Sequence, residues 1–313
     1  MPEAAEQYYM RRRDPSMRIA DRTVRVPWWS ARVAAMTEPQ TNHILNDGNR
    51  IPPIGLGTYG MLGSRGIESL RGALTAGYRM LDTALKYGNE REVGAAVNRS
   101  EVSRSEIVVT TKLAGRHHGY EKTLEGFEES RSNLDLDYVD LYLIHWPLQR
   151  LNLYVDSWRA MIKLQADGLI RSIGVSNFTP QNIQRLVDET GVTPAVNQIE
   201  LHPYFPQQVL RQFNRSMGIL TQSWSPLAEG RELGREPAIA RAAAHHGVSP
   251  AQIALRWNIQ LGAVPVPRSA NVDRQRQNLE VFGFELTPDE MTAISSLGRG
   301  RLWGADPETY ESF

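Results

Sequence analysis

Among its 313 residues the chain contains no cysteine. That absence removes disulfides, thiolate zinc sites, iron–sulfur clusters and cysteine nucleophiles together, and it fits a reducing compartment, so a cytoplasmic location is expected. Net charge is absent too, since 35 basic residues balance 35 acidic ones. A basic excess is the usual footprint of nucleic-acid or anionic-membrane partners, so neither is expected. No apolar run approaches the roughly 18 residues that would suggest a membrane span. The seven histidines form no His-x-His and no His-Glu-x-x-His; His117-His118 and His245-His246 are adjacent pairs without the i, i+4 spacing of a helical metal site, so no metal is expected.

What is present is an ordinary globular composition, 41% hydrophobic. At about 150 residues per domain the length suggests two domains, but one α/β barrel of about 250 residues is an allowed exception. Residues 1–36 stand apart, with seven Arg, no Lys, the triplet Arg11-Arg12-Arg13 and the pair Trp28-Trp29. They show neither a clean helix or strand period nor the continuous apolar stretch of a secretory signal, and Glu3, Glu6, Asp14 and Asp21 argue against a transit peptide. We expect a disordered extension, or translation from an upstream start with Met36 just before the structured part, and one domain over 37–313.

From His43 the pattern changes. His43-Ile44-Leu45, the turn Asn46-Asp47-Gly48 and Ile51 read as a β-hairpin. Short apolar or β-branched runs then alternate with helical ones: strands are expected near 54–57, 78–82, 107–112, 138–144, 170–174, 195–199, 218–223 and 262–266. Helices are expected near 66–76, 89–99, 120–133, 155–167, 179–188, 206–214, 249–260 and 270–280. Ser249-Pro250-Ala251-Gln252 is a capping box with Pro at the first helical position, and Thr287-Pro288-Asp289-Glu290 repeats the device for a terminal helix. In the third helix Leu124, Phe127, Arg131 and Leu134 are expected to share one face, with the arginine snorkelling to water. Eight βα units in about 240 residues point to α/β class, a (β/α)8 barrel with an N-terminal β-hairpin and an extra C-terminal helix.

Gly55-Leu56-Gly57-Thr58-Tyr59-Gly60 matches the dinucleotide pattern G-x-G-x-x-G. In the true motif the third glycine opens a helix onto the pyrophosphate; here residues 61–66 intervene, and the segment reads instead as a tight first βα loop on the rim.

In a barrel, residues just past each strand converge on one face. Asp82, Lys112 and His145 end three successive strands, and Tyr87 follows Asp82 by five residues. Each alone has an ordinary structural explanation; together they make coherent chemistry. A phenol with a free pKa near 10 is a poor acid unless a cation stabilises its anion. Lys112 can be that cation, Asp82 can aim it, and a neutral His145 can donate a hydrogen bond to a carbonyl oxygen. The set suits protonation of a nascent alkoxide and lacks a strong nucleophile, which suggests carbonyl reduction by hydride from elsewhere.

At this point the sequence resembles the aldo-keto reductase family, and most of all its bacterial 2,5-diketo-D-gluconate reductase branch. The resemblance runs from about His43 to the C-terminus. It is carried by Gly55-Leu56-Gly57-Thr58, Asp82 through Glu90, Thr111-Lys112-Leu113, Leu143-Ile144-His145-Trp146-Pro147, Gly174-Val175-Ser176-Asn177-Phe178, Asn197-Gln198-Ile199-Glu200, Ser225-Pro226-Leu227 and Arg268-Ser269. The resemblance implies an NAD(P)H-dependent oxidoreductase with Asp82, Tyr87, Lys112 and His145 as a catalytic tetrad and Tyr87 as proton donor. It implies NADPH (NADP+) as cofactor, with Ser176, Asn177 and Gln198 at the nicotinamide carboxamide, Trp224 stacked on its ring, and Ser225 and Leu227 beside them. Arg268, Ser269, Arg274, Gln277 and Asn278 would form the adenosine and 2′-phosphate pocket. Arg stands at 268 where the family usually has Lys, and Gln277 where Glu is common.

The substrate pocket is expected to be lined by Tyr59, His118 and Trp146. A tail of only eleven residues after Leu302 would leave its lid incomplete. Small aldehydes, α-dicarbonyls and keto-sugar acids are therefore the expected substrates, acted on by a monomer. The alternative is a non-catalytic, nucleotide-sensing binding subunit on the same barrel, which would carry the same residues without turning over a carbonyl.

Overall fold

The computed structural model describes residues 41–230 and 233–311, so the expected extension at 1–36 lies outside the described residues. The hairpin comes first, β1 (His43–Ile44) and β2 (Arg50–Ile51) paired antiparallel around a turn in which Gly48 adopts φ +86°. It lies against the entry ends of later strands: Asn46 Nδ2 donates to Pro194 O, and Asn49 Nδ2 to Arg171 O. Leu45 and Ile51 join Met80, Leu141, Leu143, Val196 and Val264 in one apolar cluster.

Eight parallel strands follow: β3 (Leu56–Gly57), β4 (Met80–Asp82), β5 (Val108–Leu113), β6 (Val139–Ile144), β7 (Ile170–Ser176), β8 (Val196–Glu200), β9 (Leu220–Trp224) and β10 (Ala263–Pro265), each paired with its sequence neighbour. The first closes on the last. The Gly55 amide donates to Pro265 O and the Gly57 amide to Pro267 O, both at 3.0 Å, and Gly57 bridges Arg268. A Cβ on Gly57 would stand 3.0 Å from Val266 O, so the seam needs a glycine there. In β6 the side chains alternate as strand geometry requires, Leu141 and Leu143 joining the inner cluster and Tyr142 and Ile144 the outer one beneath the helices. The architecture is thus the expected (β/α)8 barrel with its hairpin and its extra terminal helix, Pro288–Ser295.

Both expected capping boxes are present, Ser249 with Gln252 and Thr287 with Glu290, and a third joins Thr179 to Asn182. The helix Tyr120–Leu134 turns Phe127 and Leu134 into the core with Leu124 half-buried against it, while Arg131 reaches the surface and pairs with Glu128, as expected. Thr123, Gly126 and Ser130 are buried as well, and a Cβ on Gly126 would stand 2.7 Å from the His117 ring. One expectation needs correction. The segment after β9 holds a helix, Pro237–His246, that was not expected. Its signals were local, Pro237 at the first helical position and Gly247 as the left-handed cap. Among the described residues no helix is long and apolar enough to cross a membrane.

Candidate active site

The strand ends place the four expected groups together. Lys112, at the penultimate position of β5, is fully buried and its ammonium donates to Asp82 Oδ1 at 2.5 Å and to Thr83 O at 2.9 Å. Tyr87 ends a single 3-10 turn, Leu85–Tyr87, closed by Gly88 in the left-handed region. That turn puts its ring centroid 5.1 Å from Lys112 Nζ and 5.8 Å, edge-on, from the ring of His145.

Electrostatics follow from this burial. Desolvation works against the Lys112 charge, but Asp82 and Tyr87 outweigh it and hold the ammonium above its usual pKa. Burial, followed by the field of Lys112, drives His145 well below the usual imidazole value, which keeps it neutral. For Tyr87 burial raises the phenol pKa and Lys112 opposes the rise without overcoming it. The expected acidifying influence of Lys112 is therefore present, but the net effect is a phenol that keeps its proton at neutral pH.

A second layer holds this set, and the sequence reading had not singled it out. Asn89, fully buried, accepts from Thr83 Oγ1 at 2.8 Å and donates to Thr58 O at 2.7 Å, tying the Tyr87 turn to the first βα loop. Glu90 accepts from Thr111 Oγ1 at 2.6 Å. Asn89 and Glu90 lie within the motif running from Asp82 and Thr58 within Gly55-Leu56-Gly57-Thr58, so the signal was their membership of those motifs rather than any chemistry of their own.

The residues expected around a nicotinamide also lie at strand ends. Gln198 Nε2 donates to Asp82 Oδ2 at 2.7 Å and to Gln222 Oε1 at 3.0 Å, so Gln198 also supports Asp82, a role the sequence did not suggest. Asn177 Nδ2 donates to His145 O and to Ser176 Oγ, while Asn177 Oδ1 accepts from Trp224 Nε1 at 2.8 Å. Asn177 and Ser225 are non-glycine residues at φ 63° and 50°, a conformation of the kind that concentrates at binding sites. Leu227, half-buried, packs against the core. The remaining group is looser. Arg268 is exposed, with Nε donating to Tyr59 O at 2.7 Å; Ser269 is buried; Arg274 and Gln277 face outward from the helix Val272–Leu279. Asn278 is buried and hydrogen-bonds the Tyr78 phenol, which makes it part of the helix packing as well.

Around the opening, Tyr59 is 64% exposed and stands edge-on to Tyr87 at 5.2 Å. Trp146 packs with Leu148 and Ala305, and the Tyr310 ring lies 4.5 Å from it; Trp303 stands 6.4 Å from Trp224. The short tail thus reaches both tryptophans and covers more of the rim than its length suggested. The glycine-rich stretch runs from β3 into the first βα loop and does not itself open a helix: the following helix, Gly63–Ala76, has its first amide donating to Glu92 Oε1, an acidic group where a pyrophosphate would otherwise lie. Elsewhere His245 and His246 share the carboxylate of Glu290, at 3.0 and 2.9 Å, a clasp hidden from the sequence because Glu290 arrives from another helix.

The family model for the aldo/keto reductases matches residues 53–299. A 2,5-diketo-D-gluconic acid reductase B of a Corynebacterium species is 52% identical over 267 residues, covering 85% of this chain and 96% of that protein. The methylglyoxal reductase DkgA of Salmonella typhimurium is 43% identical over the same length, covering 85% and 96%. A crystal structure of a Bombyx mori aldo-keto reductase in complex with NADP superposes with a TM-score of 0.79 at 34% identity, covering 87% of this chain and 98% of that one.

Proposed function

Because the chain belongs to the aldo/keto reductase family, we propose that it reduces small aldehydes, α-dicarbonyls or keto-sugar acids to alcohols, with NADPH as reductant and Tyr87 as general acid. The observation that carries the reading is the buried Asp82–Lys112 pair against the half-buried ring of Tyr87, beside a neutral His145. When bound, NADPH supplies the hydride that turns the carbonyl into an alkoxide.

The chain's own residues do the rest. His145 donates a hydrogen bond to the carbonyl oxygen and fixes its direction. Tyr87 releases its proton to that oxygen as charge develops there, and the phenolate left behind is stabilised by Lys112, whose charge Asp82 maintains. The donor set fits the cofactor: neutral amides and a hydroxyl (Ser176, Asn177, Gln198) suit a carboxamide, Trp224 offers an aromatic face, and exposed Arg268 and Arg274 suit a 2′-phosphate. The names of the diketogluconate and methylglyoxal reductases, together with the aromatic rim, support small oxidised carbonyl compounds as substrates.

The test is steady-state consumption of NADPH with methylglyoxal and with 2,5-diketo-D-gluconate. Turnover with either supports the reading. Binding of NADPH without consumption by any carbonyl overturns it and leaves the nucleotide-sensing subunit.

A further inference from the structure

The helix Pro237–His246 ends on two adjacent histidines, followed by Gly247 in the left-handed region at φ +65°. Successive helical residues point about 100° apart, yet here both rings turn to one carboxylate. His245 Nδ1 lies 3.0 Å from Glu290 Oε1 and His246 Nε2 lies 2.9 Å from Glu290 Oε2, with the two ring centroids 4.5 Å apart. The chain's other adjacent pair does not converge: His117 bonds Glu129 at 2.9 Å, while His118 is buried with no hydrogen-bond partner on either ring nitrogen.

Packing sets the backbone under these three groups. Ile239, Ala242 and Ala243 of the first helix share an apolar cluster with Ile294 of the terminal helix, and the His246 ring lies against Phe284, centroids 5.1 Å apart. Glu290 is fixed by its capping box, in which the Thr287 amide donates to Oε2 at 2.8 Å. The His245 side chain, 62% exposed, can rotate and can be reached from solvent. Two imidazole nitrogens and a carboxylate oxygen thus lie within 4.8 Å of one another. Around a tetrahedral zinc ion, with bonds of about 2.0–2.2 Å, ligand atoms stand about 3.3 Å apart, so a small rotation of the side chains would admit one. Two histidines and one carboxylate are also a donor set that Zn2+ accepts, with its fourth position left to water.

We propose that His245, His246 and Glu290 form a binding site for a divalent transition-metal ion of the Zn2+ type, which fastens the terminal helix Pro288–Ser295 to the helix Pro237–His246. Each ring then carries its N–H on its other nitrogen and gives its lone pair to the ion. Glu290 Oε1 completes the set while Oε2 keeps the Thr287 amide, a supporting bond of the kind that orients a metal ligand. Mg2+ and Ca2+ prefer all-oxygen surroundings, so the two nitrogens select against them. The site takes no part in the carbonyl-reductase reading and stands or falls without it.

The test titrates the full chain, free of any affinity tag and stripped with a chelator that is then dialysed away, with ZnCl2 and with MgCl2 in a calorimeter, beside His245→Ala and Glu290→Gln. Wild type should bind one Zn2+ and no Mg2+. Loss of either ligand should weaken Zn2+ binding roughly a hundredfold, the upper end of what losing a mere supporting partner costs. An ion held only by the folded chain stabilises it, so saturating Zn2+ should raise the wild-type melting temperature by a few degrees and leave that of either variant unmoved. The rise is taken within each protein, so the small stability change that each substitution itself causes drops out. Absence of Zn2+ binding in wild type overturns the proposal. Binding that survives either substitution does the same, because it would put the ion elsewhere. Binding without a rise in melting temperature would mark an adventitious ion only, and Mg2+ binding that depends on the same two residues would overturn the assignment to a transition metal.

Discussion

The two halves of the proposed site are built on opposite principles. At the ends of β4–β6, charged and polar groups are buried and answer one another: Lys112 with Asp82, Asp82 with Gln198, Asn89 with Thr58 and Thr83. Beyond β10, Arg268, Arg274 and Gln277 stand in solvent on a loop and an eight-residue helix. Interactions in the first half operate in a low-dielectric surround where geometry is fixed in advance, which suits stabilising charge as it forms. Those of the second are exposed and screened by solvent, which suits recognising the charge of a nucleotide phosphate. Buried ion pairs are weak evidence of stability, since desolvating two charges can cost as much as their attraction returns. The Lys112–Asp82 pair is therefore best understood through the phenol it serves, with the fold bearing its cost.

The difference can be broken most severely at Lys112. In Lys112→Met the Asp82 carboxylate loses its cation inside the protein, and such half-pairs typically cost about 3–5 kcal/mol. Both stability in urea and turnover should collapse together. An active, equally stable variant would show that the pair is incidental to both. Tyr87→Phe separates the two losses. Only the transferable proton is removed, so turnover should fall by about 10²–10⁴-fold while the melting temperature and NADPH binding by fluorescence stay near wild type. Turnover within threefold of wild type would remove Tyr87 from the acid role.

Much of this division was legible in the sequence, for a physical reason. A barrel projects the residue after each strand onto one rim, so knowing where Val108–Leu113 and Val139–Ile144 end is enough to bring Lys112 and His145 together. Asn89 and the second role of Gln198 were not legible, because a buried amide declares itself only through the partners that three-dimensional packing supplies. The close approach of the His117 ring to Gly126 was not legible for a related reason: periodicity shows which face of Tyr120–Leu134 turns inward but not which neighbour packs on it. The Pro237–His246 helix was missed although its ends carry ordinary signals, since its alanines give no strong amphipathic stripe.

Arg274→Ala tests the exposed half at smaller scale. A charge-assisted contact to phosphate contributes about 1.5–3 kcal/mol when fully formed, less when solvated. NADPH binding should weaken about tenfold, with NADH binding and the melting temperature unchanged. Equal losses for both nucleotides would show that the arginine does not read the 2′-phosphate.

The smallest expected effect lies away from both halves, at the clasp that ties His245 and His246 to Glu290. Burial alone would raise the Glu290 pKa, but hydrogen bonds from His246, His245 and the Thr287 amide prevail and lower it to about 2. A carboxyl whose folded pKa is depressed contributes stability that is fully present above its unfolded value, near 4.5, and is lost as pH falls towards 2. His245 is 62% exposed, so solvent screens much of the clasp and a contribution of only about 1 kcal/mol or less is expected at neutral pH. Glu290→Gln should thus melt slightly below wild type at pH 7, and the gap should close between about pH 4.5 and 2, with carbonyl reduction at pH 7 unaffected. A gap that stays constant across that range would assign the difference to the capping contact with Thr287, which an amide makes less well at every pH, and not to the ionised carboxylate. A loss of turnover at pH 7 would mean that this helix pair is coupled to the rim, and the sharp contrast between buried charge at the proposed site and exposed surface charge would no longer hold.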